Sequence, residues 1–519
     1  AQCTSLLRLL SALGDVSGGG RLVLLCAAGT GSALAAGASK AAPLEFPQLT
    51  VQRLFLPADL DLLAQGGPLA ALPAVVDGWL RWLSSVAAAL PLEADLLLPA
   101  AGVAPHAPRL LPLPPPATDA SLPVVEPNAT YLISGGSGGL GSALVRWLLD
   151  EQHVPPSHLV LLSRRGGAAA QPGVRSLKAD VSSADSLATC TALAGLPRLG
   201  GIFHLAGILD DGLIMNMDAA RVRKVVAPKA GLLPLLARCD ELSITPPWVL
   251  LASSTSSLLG YAGQANYCAA NALFDQAAAF GLPARPARLS HLPPPPPPPS
   301  ILTLNFGPWG EVGMASEGTK AYELSIANGE RPMPSALALS CIAEALTSLR
   351  TACAAAPTAS VVRQQYMIAN VEWWRSPWPS HALLRDFAMP MPQRTQPVEV
   401  VAAASAGGGG RTREADAGGS STKARKGRDD LSAEDLRQIE SDGRERAEQW
   451  MRGRLSSWEE HQPLSDLGLD SLDLVQLRNA FNKHFRAKGR LDDEVPLSVF
   501  SNANQTLSEL LDKVGALVA

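Results

Sequence analysis

Thr130–Leu149 reads TYLISGGSGGLGSALVRWLL, and this stretch decides the fold. The apolar run Thr130-Tyr131-Leu132-Ile133 predicts a buried strand. It enters Ser134-Gly135-Gly136-Ser137-Gly138-Gly139-Leu140-Gly141, and the pattern from Ser142 to about Leu149 predicts a helix. Gly136, Gly138 and Gly141 satisfy G-x-G-x-x-G between a strand and a helix. There the backbone turns tightly, a pyrophosphate can approach it, and the helix N-terminus favours negative charge. The next strand, His158 to Leu162, ends at Ser163-Arg164-Arg165-Gly166, where an NAD enzyme would carry an acidic residue for the ribose hydroxyls. Arginine there selects the 2′-phosphate of NADP, an ordinary basic loop being the alternative. The strand ending at Ala179-Asp180-Val181 is placed to lay its aspartate beside the adenine. The strand Gly201 to Leu205 delivers His204-Leu205-Ala206-Gly207 to the cofactor edge.

A second stretch, Trp248–Asp275, reads WVLLASSTSSLLGYAGQANYCAANALFD. Val249 to Ala252 form the short apolar run of a strand covered on both faces, and Gly260 and Gly263 punctuate the loop after it. Ser254 lies thirteen positions before Tyr267 and Asn271 four after it, so Tyr267 and Asn271 share one face of a helix. A phenol beside a fixed hydroxyl is a proton donor for a carbonyl, but its ordinary pKa of about 10 calls for a nearby cation. A packing tyrosine beside a serine-rich loop is the plainer alternative. Between the two stretches, Ala219 to Leu236 predicts one helix holding Pro228-Lys229, a lysine that is a solvated charge unless it supplies that cation.

At 519 residues the chain is too long for one core, and its 47% hydrophobic content is ample for several. A net charge of −4, 17% charged residues and no basic patch interleaved with aromatics argue against nucleic acid as a partner. The seven cysteines, at 3, 26, 190, 239, 268, 341 and 353, show no CxxC pair. They suggest neither a disulfide framework nor a metal site, and they fit a reducing, cytoplasmic compartment. No apolar run reaches about 18 residues, so no membrane span is expected. The chain opens on Ala1 rather than methionine and reads as a piece of something longer, whose missing part would carry any organellar address.

The region before the first stretch carries α/β patterning: a helix Ser5 to Leu13, strands Arg21 to Cys26 and Val51 to Leu56, and a helix near Ala74 to Leu90. Gly29-Thr30-Gly31 follows the first strand, but Leu34 stands where a third glycine should be, so the loop reads as structural. Pro112 and Pro114 to Pro116 mark a boundary. Leu292 to Ser300 holds seven consecutive prolines, an extended solvated excursion read as an insertion outside the site. A final strand is expected at Ser360 to Met367, before a Trp373-Trp374 corner. Residues 391–430 are Ala, Gly, Ser, Thr, Lys and Arg with almost no large apolar residue, the composition of a flexible tether. Residues 431–519 predict a helical unit, with helices Ala433 to Leu455, Leu472 to Phe485 and Leu507 to Val518, and Pro463 and Pro496 in the connections. That unit holds sixteen acidic and eleven basic residues, a net −5 suited to meeting enzymes through an acidic face. Leu464-Ser465-Asp466-Leu467-Gly468-Leu469-Asp470-Ser471-Leu472 leads into its second helix, where Asp470 and Ser471 by themselves read as a cap.

Together, Ser134 to Gly141, Ser163-Arg164-Arg165-Gly166, Pro228-Lys229 and the Ser254, Tyr267, Asn271 set resemble the ketoreductase domain of type I polyketide synthases. These are relatives of the animal fatty acid synthase within the short-chain dehydrogenase/reductase superfamily. In most of that superfamily the lysine lies four residues after the tyrosine. In these ketoreductases lysine and asparagine are interchanged, as Lys229 and Asn271 are here. Residues 1 to about 115 resemble the truncated, cofactor-free structural subdomain that precedes such reductases. Asn305-Phe306-Gly307-Pro308-Trp309 with Glu311-Val312-Gly313-Met314 resembles the segment closing over the nicotinamide, and GLDSL around Ser471 resembles an acyl carrier protein domain. Thr351-Ala352-Cys353-Ala354 resembles a ketosynthase nucleophile motif, but it lacks the preceding Asp and the downstream histidines, so Cys353 is read as a helix-end or loop cysteine.

The resemblance implies a Rossmann-like doubly wound parallel sheet, with a structural subdomain over 1–117 and an NADPH-binding subdomain over 118–390, then a linker over 391–430 and an all-α helical carrier over 431–519. It implies that Tyr267 is the proton donor, that Ser254 hydrogen-bonds the same oxygen, that Lys229 lowers the tyrosine's pKa, and that Asn271 holds the lysine and a relay water. It gives the NADPH contacts to Gly135, Gly136, Ser137, Gly138, Gly139, Leu140, Gly141, Ser163, Arg164, Arg165, Asp180, Val181, His204, Ala206 and Gly207, and the 4′-phosphopantetheine to Ser471. Leu209-Asp210-Asp211 matches the Leu-x-Asp motif of B-type reductases, and Leu259 stands where A-type ones carry tryptophan. A D-configured, (3R) hydroxyl is then expected, a solvated turn beside Gly212 being the alternative. The implied activity is NADPH-dependent reduction of a β-ketoacyl thioester on the carrier arm. The implied partners are the chain's own carrier domain, ketosynthase and acyltransferase domains of a larger synthase, and a phosphopantetheinyl transferase; a dehydratase domain and a homodimer are compatible with it. An idle reductase scaffold with a carrier, and the equivalent piece of a fatty acid synthase, remain as other readings.

Overall fold

The amphipathic N-terminal pattern forms α1 (Gln2–Gly14), which turns Cys3, Leu6, Leu7 and Leu10 inward. The structure, a computed structural model, describes residues 2–14, 20–26, 30–55, 95–97, 107–112, 124–166, 169, 171–282, 297–314, 317–356, 360–373, 376–378, 381–384, 433–455, 458–464, 466, 467, 469, 471–487, 495, 497–500 and 505–518. β1 (Gly20–Cys26), α2 (Thr30–Ser39), α3 (Ala42–Glu45), β2 (Leu49–Phe55) and β3 (Asp95–Leu97) follow, and the strands form a parallel sheet in the order β1-β2-β3. The helix expected near Ala74–Leu90, Gly29, Pro114–Pro116 and residues 391–430 lie outside the described residues.

The larger sheet is built from β4 (Thr130–Ser134), β5 (Leu159–Ser163), β6 (Arg175–Lys178), β7 (Leu199–His204), β8 (Trp248–Ser254), β9 (Ser300–Phe306) and, after the two-residue β10 (Glu330–Arg331), β11 (Arg363–Ile368). All seven are parallel, in the order β11-β9-β8-β7-β4-β5-β6. Strand alternation explains why apolar runs suffice. Tyr131, Ile133, Leu250 and Leu302 face a core with α4 (Gly139–Asp150), while Leu132, Val160, Val249 and Ile301 face a second core on the opposite side. β4 lies between β5 and β7, so the loops leaving β4 and β7 part in opposite directions and open a crevice at the carboxyl ends of the strands. This is the doubly wound fold expected.

Four details differ from the expectations. The helix expected over Ala219–Leu236 is two, because after α5 (Ala184–Thr189) the chain forms α6 (Ala219–Ala230) and α7 (Leu232–Glu241), which part at Gly231. A side chain at Gly231 would lie 2.6 Å from the Val181 carbonyl oxygen, so the backbone passes close to the β6 exit and changes axis there. β6 stops at Lys178, so Ala179, Asp180 and Val181 lie beyond the strand rather than in it. A two-residue strand, β12 (Asn370–Val371), pairs with β10, a ladder too short for periodicity to reveal. Between β9 and β10, α10, which for chain order follows α8 (Thr255–Leu259) and α9 (Ala265–Phe280), spans Lys320–Ala327 and was not foreseen.

Helix α11 (Ser335–Ala355) is long and apolar enough to cross a membrane. Its Ala338, Leu339, Ile342, Ala345, Leu346 and Leu349 are instead buried in the core of the larger sheet, and Cys353 lies exposed near its end. Of the proline run, Pro297 and Pro298 are exposed and lead into β9.

The two sheets share a third core. Leu7, Leu10, Ala38, Ala42 and Phe46 pack with Leu213, Ile214, Met217, Ala265 and Ala269. Helix α2 approaches α9 closely through Gly37, where a Cβ would lie 2.5 Å from the Cys268 carbonyl oxygen, 2.6 Å from Ala272 Cβ and 2.8 Å from Ala269 Cα. A second compact unit lies in the C-terminal part of the chain. The helices described there are α12 (Ala433–Arg452), α13 (Ser471–Ala487), the unforeseen short α14 (Leu497–Phe500) and α15 (Leu507–Gly515), the last opened by a Thr506–Glu509 capping box. Trp450 meets Phe481 edge-on at 5.3 Å, and the buried Arg478 donates to the Val495 carbonyl at 2.7 Å.

Gly37→Ala is expected to force α2 away from α9 at a cost of about 1–3 kcal/mol. Calorimetry should show the transition of the first unit lowered by on the order of 5 °C; an unchanged melting temperature would mean that the two helices do not meet as closely as the structure has them.

Candidate active site

The glycine loop is shaped by what its residues lack. Gly135 has φ of 74°, and a Cβ there would lie 2.9 Å from Ala206 N. At Gly141 it would lie 2.5 Å from the Gly135 carbonyl oxygen. The loop therefore folds back on itself and against the end of β7, bringing Gly135 to Gly141 beside Ala206. Gly138 caps α4 without a side-chain hydrogen bond, so the first-turn amides of that helix remain available to an anion. A Cβ at Gly139 would lie 2.6 Å from Gly313 N and 3.2 Å from Val312 Cβ, so the Glu311-Val312-Gly313-Met314 segment closes on the loop. At the end of β5, Ser163 Oγ accepts from Gly166 N at 3.0 Å, a turn that leaves Arg164 and Arg165 exposed. Asp180 ties its own turn together, accepting from Ser182 N at 2.9 Å, while Val181 is buried against Gly231. These groups fit a dinucleotide along the carboxyl edge of the sheet.

Lys229 is the most constrained charge of the site. It is 4% exposed, its ammonium donates to the Ala252 carbonyl at the end of β8, and it lies 4.9 Å from the Phe274 ring centroid. Burial pulls its pKa down to about 7, against the opposing charge of Asp275. His204 holds it from behind. Its Nε2–H donates to the Pro228 carbonyl at 3.0 Å, a carbonyl being only an acceptor, and Ser134 Oγ then donates to Nδ1 at 2.7 Å. Burial, aided by the Lys229 charge, lowers the imidazole to about 3, so it stays neutral. Gly207 leaves room beside the ammonium, since a Cβ there would lie 3.5 Å from Nζ.

Tyr267 is half-buried on α9, with Asn271 and Asp275 following at helical spacing. Ser254 Oγ accepts from Ser256 N at 3.2 Å and Ser256 Oγ at 3.0 Å, which fixes the hydroxyl and leaves its proton for a third partner. Burial pushes the phenol up to about 12, and what opposes it is hydrogen bonding from Asn271 and Ser254. One expectation needs correction: Asn271 does not hold the lysine. Its Nδ2 donates to the Tyr267 carbonyl at 2.9 Å, and its buried Oδ1 has no partner.

The Leu209-Asp210-Asp211 segment is cross-linked rather than a solvated turn. Arg221 Nη2 donates to the Asp210 carbonyl and Oδ1, each at 3.2 Å, and Lys224 reaches Oδ2 at 3.2 Å. Burial works against the Asp210 charge, but these partners outweigh it and hold the carboxyl below its ordinary range. Burial raises Asp211, opposed by Gln264, whose Nε2 donates to Oδ2 at 3.0 Å. Asn266 Nδ2 donates to the Asp210 carbonyl at 2.8 Å, so this segment and the approach to Tyr267 are sewn together.

Sequence reasoning missed three supports. Asp275 accepts from Ser253 Oγ at 2.9 Å and from Asn305 Nδ2 at 2.8 Å. Its place eight residues after Tyr267, on the same face, was the signal available. Glu330 takes hydrogen bonds from Tyr261 and, at 3.2 Å, from Thr255, with its carboxyl raised to about 7 by burial, and nothing local in the sequence marks it. Glu45 reaches the site from the N-terminal sheet. In the C-terminal part of the chain, Ser471 opens α13.

Comparison with known proteins agrees with this geometry. Residues 129–282 match the KR domain family model, and residues 455–514 match that of the phosphopantetheine attachment site. The chain therefore carries a KR domain and, after it, a phosphopantetheine-binding domain. Its relatives are polyketide synthases. It is 41% identical over 176 residues to polyketide synthase GfsA of Streptomyces halstedii, covering 30% of this chain and 2% of that protein. It is 34% identical over 245 residues to the pikromycin polyketide synthase component PikAII of Streptomyces venezuelae, covering 43% of this chain and 6% of that one. The chain thus spans a small fraction of these relatives. Among solved structures, the first ketoreductase of the tylosin synthase aligns with a TM-score of 0.51 at 24% identity, covering 73% of this chain and 76% of that one. A C2-type ketoreductase from a modular polyketide synthase aligns at 0.53 and 22%, covering 72% and 75%. Both likenesses are of fold.

Because the folded pKa of Lys229 is depressed from 10.5 to about 7, the unfolded chain binds more protons between those values, so this residue's contribution to stability grows as pH rises through that window. Between pH 7 and 9.5 the parent protein should gain on the order of 1–3 kcal/mol relative to a Lys229→Met variant in urea denaturation. A pH-independent difference would show that the ammonium is not desolvated.

Proposed function

We propose that this chain reduces the β-keto group of a polyketide β-ketoacyl thioester with NADPH, the thioester riding on a 4′-phosphopantetheine arm attached to Ser471, and releases a β-hydroxyacyl thioester within a larger synthase. The observation that carries this reading is that Ser254 hydrogen-bonds the Tyr267 phenol while Lys229 is buried against the carbonyl of Ala252, two residues before Ser254 on β8, in a chain that also matches a phosphopantetheine attachment site. The exposed Arg164 and Arg165 at the end of β5 favour a 2′-phosphorylated dinucleotide, because charge-assisted hydrogen bonds from guanidinium have an anion to meet there. NADPH, when bound, supplies the hydride for the β-carbon.

The chain's own residues handle the oxygen. Ser254 donates a hydrogen bond to the ketone oxygen, keeping its own proton, and holds that oxygen in place. As the carbonyl π electrons collect on that oxygen, the Tyr267 O–H bond breaks and its proton forms the new hydroxyl. With a pKa near 7, Lys229 Nζ can hold a proton at neutral pH and pass it on to the phenolate oxygen left behind. Neutral His204 keeps Lys229 in that place. The braced Asp210-Asp211 segment beside the site would admit the pantetheine arm from one side, so one face of the ketone is presented and a D-configured, (3R) hydroxyl results. Tethering to Ser471 replaces tight substrate binding with high local concentration.

Tyr267→Phe is expected to lower turnover of a β-ketoacyl pantetheine thioester by about 10²–10⁴ with NADPH affinity nearly unchanged. NADPH oxidation measures the rate and chiral chromatography the product; a mainly L-configured hydroxyl would reverse the assigned face. Treatment with coenzyme A and a phosphopantetheinyl transferase should add one phosphopantetheine by mass. A Ser471→Ala protein that still gains this mass would refute the carrier assignment.

A further inference from the structure

We propose that Glu45, contributed by the N-terminal sheet, is the positioning residue that sets the two substrate-side loops of the reductase site against each other. The proposal rests on the reading that the chain reduces a pantetheine-borne ketone. Glu45 ends the short helix α3 and is fully buried. Its Oε2 accepts from Ile214 N at 2.7 Å and its Oε1 from Gly263 N at 2.9 Å, groups 169 and 218 residues away in the chain. Ile214 lies three residues after Asp211 and Gly263 four before Tyr267. The two loops are also joined directly, because Gly212 N donates to the Gly263 carbonyl at 2.7 Å. One carboxylate thus ties the base of the acidic segment to the base of the tyrosine segment, with each oxygen committed to one amide.

Three facts make this more than packing. First, a carboxylate whose partners here are two backbone amides is a costly group to bury, and burial raises its pKa to about 7. An apolar side chain of similar size would fill the space but orphan both amides. Second, the same corner braces the tyrosine helix at one further point and the loop before it at another. Gly37 lies on the α9 backbone, and Gly260, with φ of 82°, lies against the Lys40 carbonyl, 2.1 Å from where its Cβ would be. Third, the residues held beyond the tether, Asp210, Asp211, Gln264 and Asn266, are hydrogen-bonded to one another, so a shift at Glu45 moves the loops as a pair. The opening between Asp211 and Tyr267 is therefore set from beneath, by α3.

Glu45→Gln keeps the volume and one acceptor but turns an NH2 group toward a backbone N–H. Losing one hydrogen bond to a charged acceptor corresponds to about a tenfold effect. With the β-ketoacyl pantetheine thioester, kcat/KM should fall about tenfold, mostly through KM, and the enantiomeric purity of the hydroxyl should drop. NADPH affinity by fluorescence, and reduction of a small cyclic ketone with no pantetheine arm, should stay within about twofold. Glu45→Asp, which keeps both acceptors on a stem one methylene shorter, should fall between parent and Gln. In hydrogen exchange, Ile214 and Gly263 should lose protection in Glu45→Gln while β4 and β8 keep theirs. If the parent itself reduces neither ketone, the reductase reading fails and this exchange result alone judges the tether. Unchanged thioester kinetics and purity, equal losses on both ketones at unchanged KM, or unchanged protection at the two amides would overturn the role of Glu45.

Discussion

A lysine ammonium held in an apolar interior is the constraint on which the rest of the site depends. Such a charge is tolerated only where hydrogen bonds and a polarisable surface replace lost water, and each neighbour of Lys229 meets part of that need. The end of β8 supplies a carbonyl, the face of Phe274 supplies π density, and Gly207 withholds a side chain that would crowd the ammonium. Neutral His204, fixed between Ser134 and the Pro228 carbonyl, keeps the helix bearing Lys229 from rotating the charge outward. The same burial that depresses the ammonium raises the Tyr267 phenol, so donor and cation are tuned in opposite directions by one apolar environment.

Around that centre the structure divides labour by sheet. The parallel strands β4, β7 and β8 place the glycine loop, His204 and Ser254 at one edge because their carboxyl ends all point the same way. The smaller N-terminal sheet and its helices brace that edge from behind. They act through close approach, with Gly37 on the tyrosine helix and Glu45 beneath the loops, which requires small residues and a buried acceptor rather than reactive side chains.

Much of this was legible beforehand. The apolar runs Thr130 to Ile133 and Val249 to Ala252 specified buried strands, the second covered on both faces, and the glycine pattern specified what followed the first. Tyr267 and Asn271 could be placed on one helix face because helical spacing is local. Lys229 was harder. It was recognisable as the missing cation only through the family's interchange of lysine and asparagine, and its true partner, the Ala252 carbonyl, lies 23 residues away on another element. The role expected for Asn271 was not met: its Nδ2 donates to the carbonyl of its own helical turn, and its Oδ1, the atom that would accept from an ammonium, has no partner.

By itself the sequence determined the main strands, the parallel sheet, the glycine loop and the C-terminal helical unit whose second helix Ser471 opens, because periodicity, turn chemistry and capping act over a few residues. Only the tertiary structure decided which charges are buried, that α6 and α7 part at Gly231, and that Glu45, Asp275 and Glu330 brace the site. Those outcomes depend on desolvation and on backbone groups brought together from 30 to more than 200 residues apart, and local pattern carries no record of either.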